Sequence, residues 1–462
     1  MISKWRWLFD QITHLLWLRA SLFAVIGVVT ALIGVTAESY VPMSVPDLIG
    51  ADAVGTVLNV LASSMLAVTT FSLGVMLSAY SAATNNVTPR ATKLLMQDTT
   101  TQNVLSTFIG SFLFSLVGIV TLTIDGYGQR GRLVLFVVTV GVILVVITAL
   151  LRWIDHLSRL GRVGETTQRV EDVATEAILR RNEQPCLGGR RLDDSVTIPS
   201  GAVVLTAAST GYVQHIDSAA IETLAEEHDT RVYLMVLPGA YVVAGNEIAR
   251  VCLPTDLEDA AAEGDGSGSE GKNDEKEDGD SQDDKKTKRD QTLDELREGV
   301  RGALSVGAER TYDQDPRFGI VVLAEIASRA LSEAINDSGT AIDVISRLVR
   351  VMSIWTKEPE NTEEDGETPE VKCPHLYVRP LHYQDLFEDG FAIIARDGAD
   401  RIEIQLRLQK ALSNLSQIGP KEFRDAARLQ ARLCLEQAEF GLRFEREKER
   451  VRQAASFEVP MP

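Results

Sequence analysis

Cysteine is scarce in this chain, with four in 462 residues. Cys186, Cys252, Cys373 and Cys434 stand at long, irregular spacings without a C-x-x-C pair. That pattern excludes a zinc ribbon or a dithiol redox motif and fits reduced thiols facing a cytosol. Positive charge is also in deficit: 46 Lys and Arg against 65 Asp and Glu leave a formal net charge of −19. Nucleic-acid affinity comes largely from Lys and Arg displacing counterions, so nucleic acid is discounted as a partner. Catalytic signatures are missing too. The sequence has no G-x-S-x-G, no Walker A loop, no H-E-x-x-H and no G-x-G-x-x-G after a strand. His375 and His382, around Pro374 and Pro380, make a weak metal pair and read as surface residues. Nothing in the pattern demands an enzyme, a metal or a cofactor.

Apolar residues, by contrast, are abundant and unevenly placed. They crowd before Trp153, and the charges follow it. Four runs, at about 15–37, 56–80, 104–124 and 133–153, each approach the roughly 20 residues that cross about 30 Å of hydrocarbon. Arg19, near the start of the first run, can snorkel to the headgroups, and the other three runs carry no ionisable residue between their ends. The first run is too long for a cleavable signal peptide and reads as a retained anchor. Lys4, Arg6 and Arg19 before it, Arg90 and Lys93 in the second loop, and Arg152, Arg159, Arg162 and Arg169 after the fourth run place both termini in the cytoplasm. Only Arg130 and Arg132 in the third loop dissent. The expected setting is a bacterial inner membrane.

Small and hydroxylated residues give the spans their pattern. Asn59, Ser63, Thr70 and Gly74 share one arc of the second helix with Thr56 and Ser81, interrupted by Leu66 and Leu77. Thr107, Ser111 and Ser115 repeat a small-xxx-small spacing on the third. Such stripes serve close helix packing in lipid or an uncharged polar pore lining. The absence of Asp, Glu, His or Lys in mid-span argues against a proton relay.

After Trp153 the period changes. A charged helix leaves the membrane, and short β-type runs at Val203–Ala208, Gly211–Ile216, Arg231–Leu237 and Ile248–Leu253 flank a helix at Ser218–His228. Pro238 to Ile248 resembles the P-G-x-x-V-x-x-G-x-x-I turn of biotinyl/lipoyl-type barrels, but no Lys lies between Lys93 and Lys272 to carry a cofactor. Only a small barrel shape follows from that resemblance. Residues 256–290 hold 14 acidic and 6 basic residues with almost nothing apolar, the composition of a disordered linker. Helical periodicity returns at Leu293–Gly307, Phe318–Ala334, Thr340–Ile354, Asp400–Gln417 and Lys421–Ala455, broken by a polar loop at 357–372. The fold class is thus an α+β membrane protein: a four-helix transmembrane bundle (1–153), a linking helix with a β-rich barrel-like module (154–254), an acidic linker (255–292) and a C-terminal helical bundle (293–455).

Two stretches carry a family resemblance. Thr88-Pro89-Arg90 is followed by Asp98, and Arg329-Ala330-Leu331-Ser332 leads into Ile335-Asn336-Asp337 and Thr340-Ala341. With the four runs, Gly211-Tyr212-Val213-Gln214 and Arg310-Thr311 before Asp315-Pro316, the order resembles the bacterial predicted membrane proteins grouped as domain of unknown function 2254, over roughly Trp5 to Leu415. The family pattern R-A-L-S-P-G-I-N-D-P-x-T-A is altered here, with Glu333 and Ala334 for Pro-Gly and Ser338 for the second Pro. The resemblance implies the architecture and no settled activity.

Arg310, Asp313, Arg329, Asn336, Asp337 and Thr340 are the candidates for a shared polar site. They could bind a small anion through bidentate Arg contacts, or cap and link helices. Thr88, Pro89 and Arg90 suit a helix start beside lipid phosphates. The functional expectation is a homo-oligomeric channel or transporter in the bilayer, gated by a cytoplasmic domain that senses an ion or small anion. The alternative is a membrane-anchored scaffold or signalling protein, whose protein partners the sequence does not name.

Overall fold

The computed structural model describes residues 16–36, 51–96, 98–124, 129–253, 279–356 and 371–455. The chain divides into two compact units, one over Leu8–Gln168 and the other from Arg169 onward. The described residues of the first are helical: α1 (Leu16–Thr36), α2 (Ala51–Asn86), α3 (Pro89–Met96), α4 (Thr99–Thr123) and α5 (Gln129–Arg159). Among the described residues three stretches are long and apolar enough to cross a membrane, Ala53–Thr84, Thr99–Thr123 and Gly131–Arg159. The expected fourth span corresponds to α1, whose described apolar stretch, Ala20–Thr30, is shorter than a crossing requires. At 36 residues, α2 is about 54 Å long and overshoots the hydrocarbon, well past the expected 56–80.

The unit is organised around α4. Of its most apolar window 56% is buried, against 22% for α2 and 17% for α5, so α4 is the central helix. Leu58, Phe114 and Leu135 form one interior cluster, and Met65, Val104, Phe108 and Trp153 another. On the other side α1 touches α4 backbone to backbone. A Cβ added at Gly27 would sit 2.5 Å from the Gly110 carbonyl oxygen, and one at Gly110 would sit 2.8 Å from the Phe23 carbonyl oxygen. Small residues permit this approach, and in lipid such packing replaces the hydrophobic drive that water supplies elsewhere.

The second unit begins within α6 (Val163–Glu183), which carries the chain out of the first. Strands β1 (Gly189–Arg191), β2 (Val203–Thr206), β3 (Gly211–Ile216), β4 (Arg231–Leu234), β5 (Tyr241–Val242), β6 (Glu247–Cys252), β7 (Leu304–Gly307) and β8 (Cys373–Val378) make two open sheets. Their orders are β1-β8-β4-β6-β2 and β5-β3-β7. The expected barrel is therefore not formed. Gly239 (φ +90°) and Gly245 (φ +93°) do make the tight turns. The first leads the chain from β4 into β5 of the other sheet, and the second returns it to β6. Two strands, β7 and β8, come from the region expected to be purely helical, and β8 runs parallel to β1 and β4. Helices α7 (Ser218–Glu227) and α8 (Gly279–Ala303) cover the sheets through Ile221, Ala225, Leu296 and Val300.

Helix α8 starts within the expected acidic linker, and residues 255–278 of that linker lie outside the described residues. Residues 357–370 of the expected polar loop do so as well. The remainder is helical: α9 (Pro316–Leu331), α10 (Ser338–Ser353), α11 (Tyr383–Phe387), a π-turn at Glu388–Ala392, α12 (Ile393–Asp397), α13 (Ile402–Leu415), α14 (Lys421–Gly441) and α15 (Glu445–Ala455). In its core Phe387 stacks on Phe391 and meets Phe423 edge-on.

The α1–α4 contact predicts an asymmetry between two helical glycines. Gly110→Ala is expected to lower the unfolding midpoint in detergent, at a cost of about 1–3 kcal/mol, because a backbone carbonyl cannot yield as a side chain can. Gly141→Ala, with nothing within 4 Å of the new methyl, should be neutral or slightly stabilising. Equal effects would mean that α1 does not pack against α4.

Candidate functional site

In the first unit the polar groups sort by where their hydrogen bonds go. Hydroxyls of Thr69, Thr107, Ser111, Ser115, Thr121 and Thr139 donate to the carbonyl four residues back, which satisfies them without water. Ser72 Oγ and Ser106 Oγ are fully buried without a hydrogen-bond partner, as is the indole Nε1 of Trp153. Orphaned polar atoms of this kind are rare in interiors and mark places where water or a helix movement must supply a partner.

The stripe expected on α2 faces outward. Asn59, Ser63, Thr70 and Gly74 are all exposed, as are Thr56 and Ser81, so among the described residues no helix packs over them. The Ser63 hydroxyl donates to the Asn59 carbonyl at 2.9 Å and Thr70 to Leu66 at 3.0 Å.

Thr88-Pro89-Arg90 starts α3. The buried Thr88 hydroxyl accepts the Ala91 amide at 3.2 Å, Pro89 takes the first helical position where no N–H is needed, and Arg90 is exposed. Two residues beyond the end of α3, Asp98 caps α4 by accepting the Thr101 amide at 2.9 Å. Its carboxylate also meets His156 Nε2, at the last turn of α5, at 2.8 Å with side chains only 8% and 14% exposed. Thr101 Oγ1 lies 3.0 Å from the same nitrogen, and the His156 ring stacks on Trp153 with centroids 5.7 Å apart. This half-hidden carboxylate–imidazole link was not among the residues expected from sequence. Its partners are far apart in the chain, and the readable signal was only Asp98 before three threonines at a helix start.

In the second unit the expected six-residue polar cluster is spread over two places. Arg310 joins Asp315, with Nη2 and Nε at 2.7 and 2.8 Å from Oδ2, and its guanidinium lies over Phe318 at 5.0 Å. Asp315 caps α9 through the Arg317 and Phe318 amides. Burial, the largest influence, pushes its carboxyl up, while Arg310 pulls it down. Gly239 abuts this carboxylate so closely that any Cβ there would overlap it. The Asp313 and Gln314 carbonyls accept from Arg180 and Arg181, and burial lowers the Arg181 guanidinium to about 10.

Arg329, Asn336, Asp337 and Thr340 stand at the far end of α9, about 20 Å away at 1.5 Å per residue. There the chain turns through Asn336 in the left-handed region (φ 53°), and Asp337 caps α10 by accepting the Thr340 amide at 3.0 Å and its hydroxyl at 2.6 Å. Arg401 donates to the Leu331 carbonyl at 2.8 Å and holds the turn from below. Arg310 and Arg329 therefore cannot clamp one anion together.

Further links serve the fold. Glu171 of α6 accepts from Arg347 and Arg350 of α10 at 2.6 Å each. Arg317 bridges Asp385 and Asp389, and His375 Nδ1 meets Glu222 at 2.8 Å. Burial lifts the Cys373 thiol to about 11, which makes it a poor nucleophile. Among the described residues no three His, Cys, Asp or Glu side chains converge as a metal set.

Comparison with known proteins adds a family and two relatives. A family model described as "Predicted membrane protein (DUF2254)" matches residues 13–414. Uncharacterized proteins of Mycobacterium bovis and Mycobacterium tuberculosis are each 24% identical over 288 residues, which covers 61% of this chain and 49% of each relative. The matched region thus spans about half the length of those curated relatives. No solved structure matches.

The Asp337 cap carries a pH signature. Hydrogen bonds from the Thr340 hydroxyl and amide hold its carboxyl below the ordinary carboxylate range. The folded pKa is thus below the unfolded one. The cap's contribution is complete above about pH 4 and is lost as pH falls through the lower folded value. Asp337→Ala is expected to cost about 1 kcal/mol at pH 7 in denaturant unfolding, with the gap to the native chain narrowing toward pH 3. An undiminished gap at low pH would show that the carboxylate is not the capping group.

Proposed function

The chain belongs to the DUF2254 family of predicted membrane proteins, and we propose that it is a homo-oligomeric channel or transporter whose soluble unit gates it or senses a ligand. The setting proposed is a bacterial inner membrane, with α1 as a fourth span and both termini cytoplasmic. The observation that supports this reading is the outward-facing stripe of Asn59, Ser63, Thr70 and Gly74. A carboxamide turned toward hydrocarbon is costly, because nothing there replaces the hydrogen bonds of water. Copies arranged about an axis would turn α2 inward and place that stripe against water or another α2. Four spans seldom enclose a conduit alone, so closed symmetry supplies the rest. The uncharged lining suits a small ion or neutral solute passing by size and hydroxyl contact.

The buried orphans Ser72 and Ser106 add internal polar sites that a dry, static bundle would not retain. Asp98 and His156 tie the start of α4 to the end of α5, where a change in helix angle would alter the bundle at one end.

Reconstituted protein carrying Ser63→Cys or Thr70→Cys should lose most of its flux after a water-soluble thiol reagent. Phe71→Cys, on a neighbouring arc and 66% exposed, should be little affected. Absence of flux under every salt, pH and tension tried, together with monomers by native mass, would instead support an anchored scaffold.

A further inference from the structure

Two features on one face of the soluble unit complement each other. One is a ridge. Leu433 and Phe440 of α14 and Phe444 just beyond it are exposed by 43%, 91% and 67%. The residues 433, 437 and 440 recur at helical spacing, so Gln437 lies on the same face. The other is a cleft of about 470 Å³ in which Gln437 is one wall. Its apolar floor is Val321 of α9 with Ala392 and Ile393 at the π-turn, and its rim carries Glu325 and Glu388.

Charge distinguishes the two features. Asp389 of the cleft is held by Arg317, and Arg396 by Asp397, whereas Glu388 has no ion pair among the described residues. On the ridge, Arg443 lies between Phe440 and Phe444 and likewise has none. An apolar knob with a cation thus sits one helical turn from an apolar hole with a carboxylate rim.

We propose that this face is a self-complementary contact between two copies of the chain, with Phe440 of each entering the cleft of the other and Arg443 meeting Glu388. A patch holding both knob and hole satisfies the two-fold rule that residue i contacts j while j contacts i. A nearly fully exposed Phe is unusual on a surface without a partner. Lipid is the less suitable occupant. Between Glu436 and Arg450 there are five carboxylates and four cations, so the tip has no excess positive charge to seek anionic headgroups. The contact extends the proposed oligomer into the soluble unit. Its test reads cross-linking rather than flux, so that either reading can fail alone.

The test mixes two full-length populations in detergent, one with Phe440→Cys and one with Glu388→Cys, under mild oxidation. A cross-linked dimer is expected, at least tenfold more abundant than with Glu227→Cys, an exposed site on α7, in place of Glu388→Cys. For the charge pair, a Leu433→Cys chain is cross-linked to itself with a short bifunctional thiol reagent. Arg443→Glu or Glu388→Arg alone should reduce that product about tenfold, and the two together should restore it. No preference over Glu227→Cys, or no rescue by the charge swap, overturns the contact. Quenching of Phe440→Trp fluorescence by brominated lipid in vesicles would place the ridge in lipid and overturn it also.

Discussion

Hydrocarbon offers no hydrogen bonds, and the whole membrane unit is arranged around that constraint. Its backbone is helix from Leu16 onward through every described apolar segment, and most hydroxyls in the spans return to their own helix. Association then depends on close fit, which explains the backbone contact of Gly27 with Gly110 and the central position of α4. Against this background, polar groups that do not obey the rule carry information. Asn59 faces outward, and Ser72 and Ser106 are buried without partners. A helix satisfied everywhere could sit in lipid as a passive anchor; one with such exceptions needs either water or a neighbouring chain.

Outside the hydrocarbon the rules reverse, and charge is used freely where it can be paired. Glu171 is nearly buried yet receives two guanidinium groups from α10. Breaking one member of such a set leaves an uncompensated charge, so the arrangement fixes geometry more than it adds net stability. Because α6 enters the second unit from the first, its position there is set at Glu171 soon after the boundary. The opposite end of α10 is the Asn336-Asp337 turn, so one helix joins the clamp to the most distinctive loop of the family pattern.

Legibility of the sequence followed the range of the interactions. The long apolar stretches were readable because each is a local property of about 20 residues. Caps were readable at Thr88 and Asp337, since a cap needs only its next three residues. The barrel was misjudged because Gly239 and Gly245 determine turns, whereas sheet membership is decided by which strands come to pair. Cys373–Val378, more than a hundred residues downstream, supplies the parallel partner. The supposed cluster around Arg310 failed for a similar reason. Residues close in sequence were separated by the straight run of α9, while Arg310 found Asp315 and Gly239 instead. Asp98 and His156 illustrate the converse: remote positions that only packing brings together.

The exposed surfaces of the two units raise the same question in different solvents. On α2 the misplaced groups are polar and the surroundings are lipid. On α14 they are aromatic and, in the proposed arrangement, the surroundings are water. Each surface is costly for an isolated chain, and the costs have opposite chemical sign. The proposed oligomer would remove both at once, since copies about an axis bring like faces together. Lipid could cover the aromatics but not the carboxamide, and water could cover the carboxamide but not the aromatics. In the proposed self-association, neither Asn59 nor Phe440 would face the wrong medium.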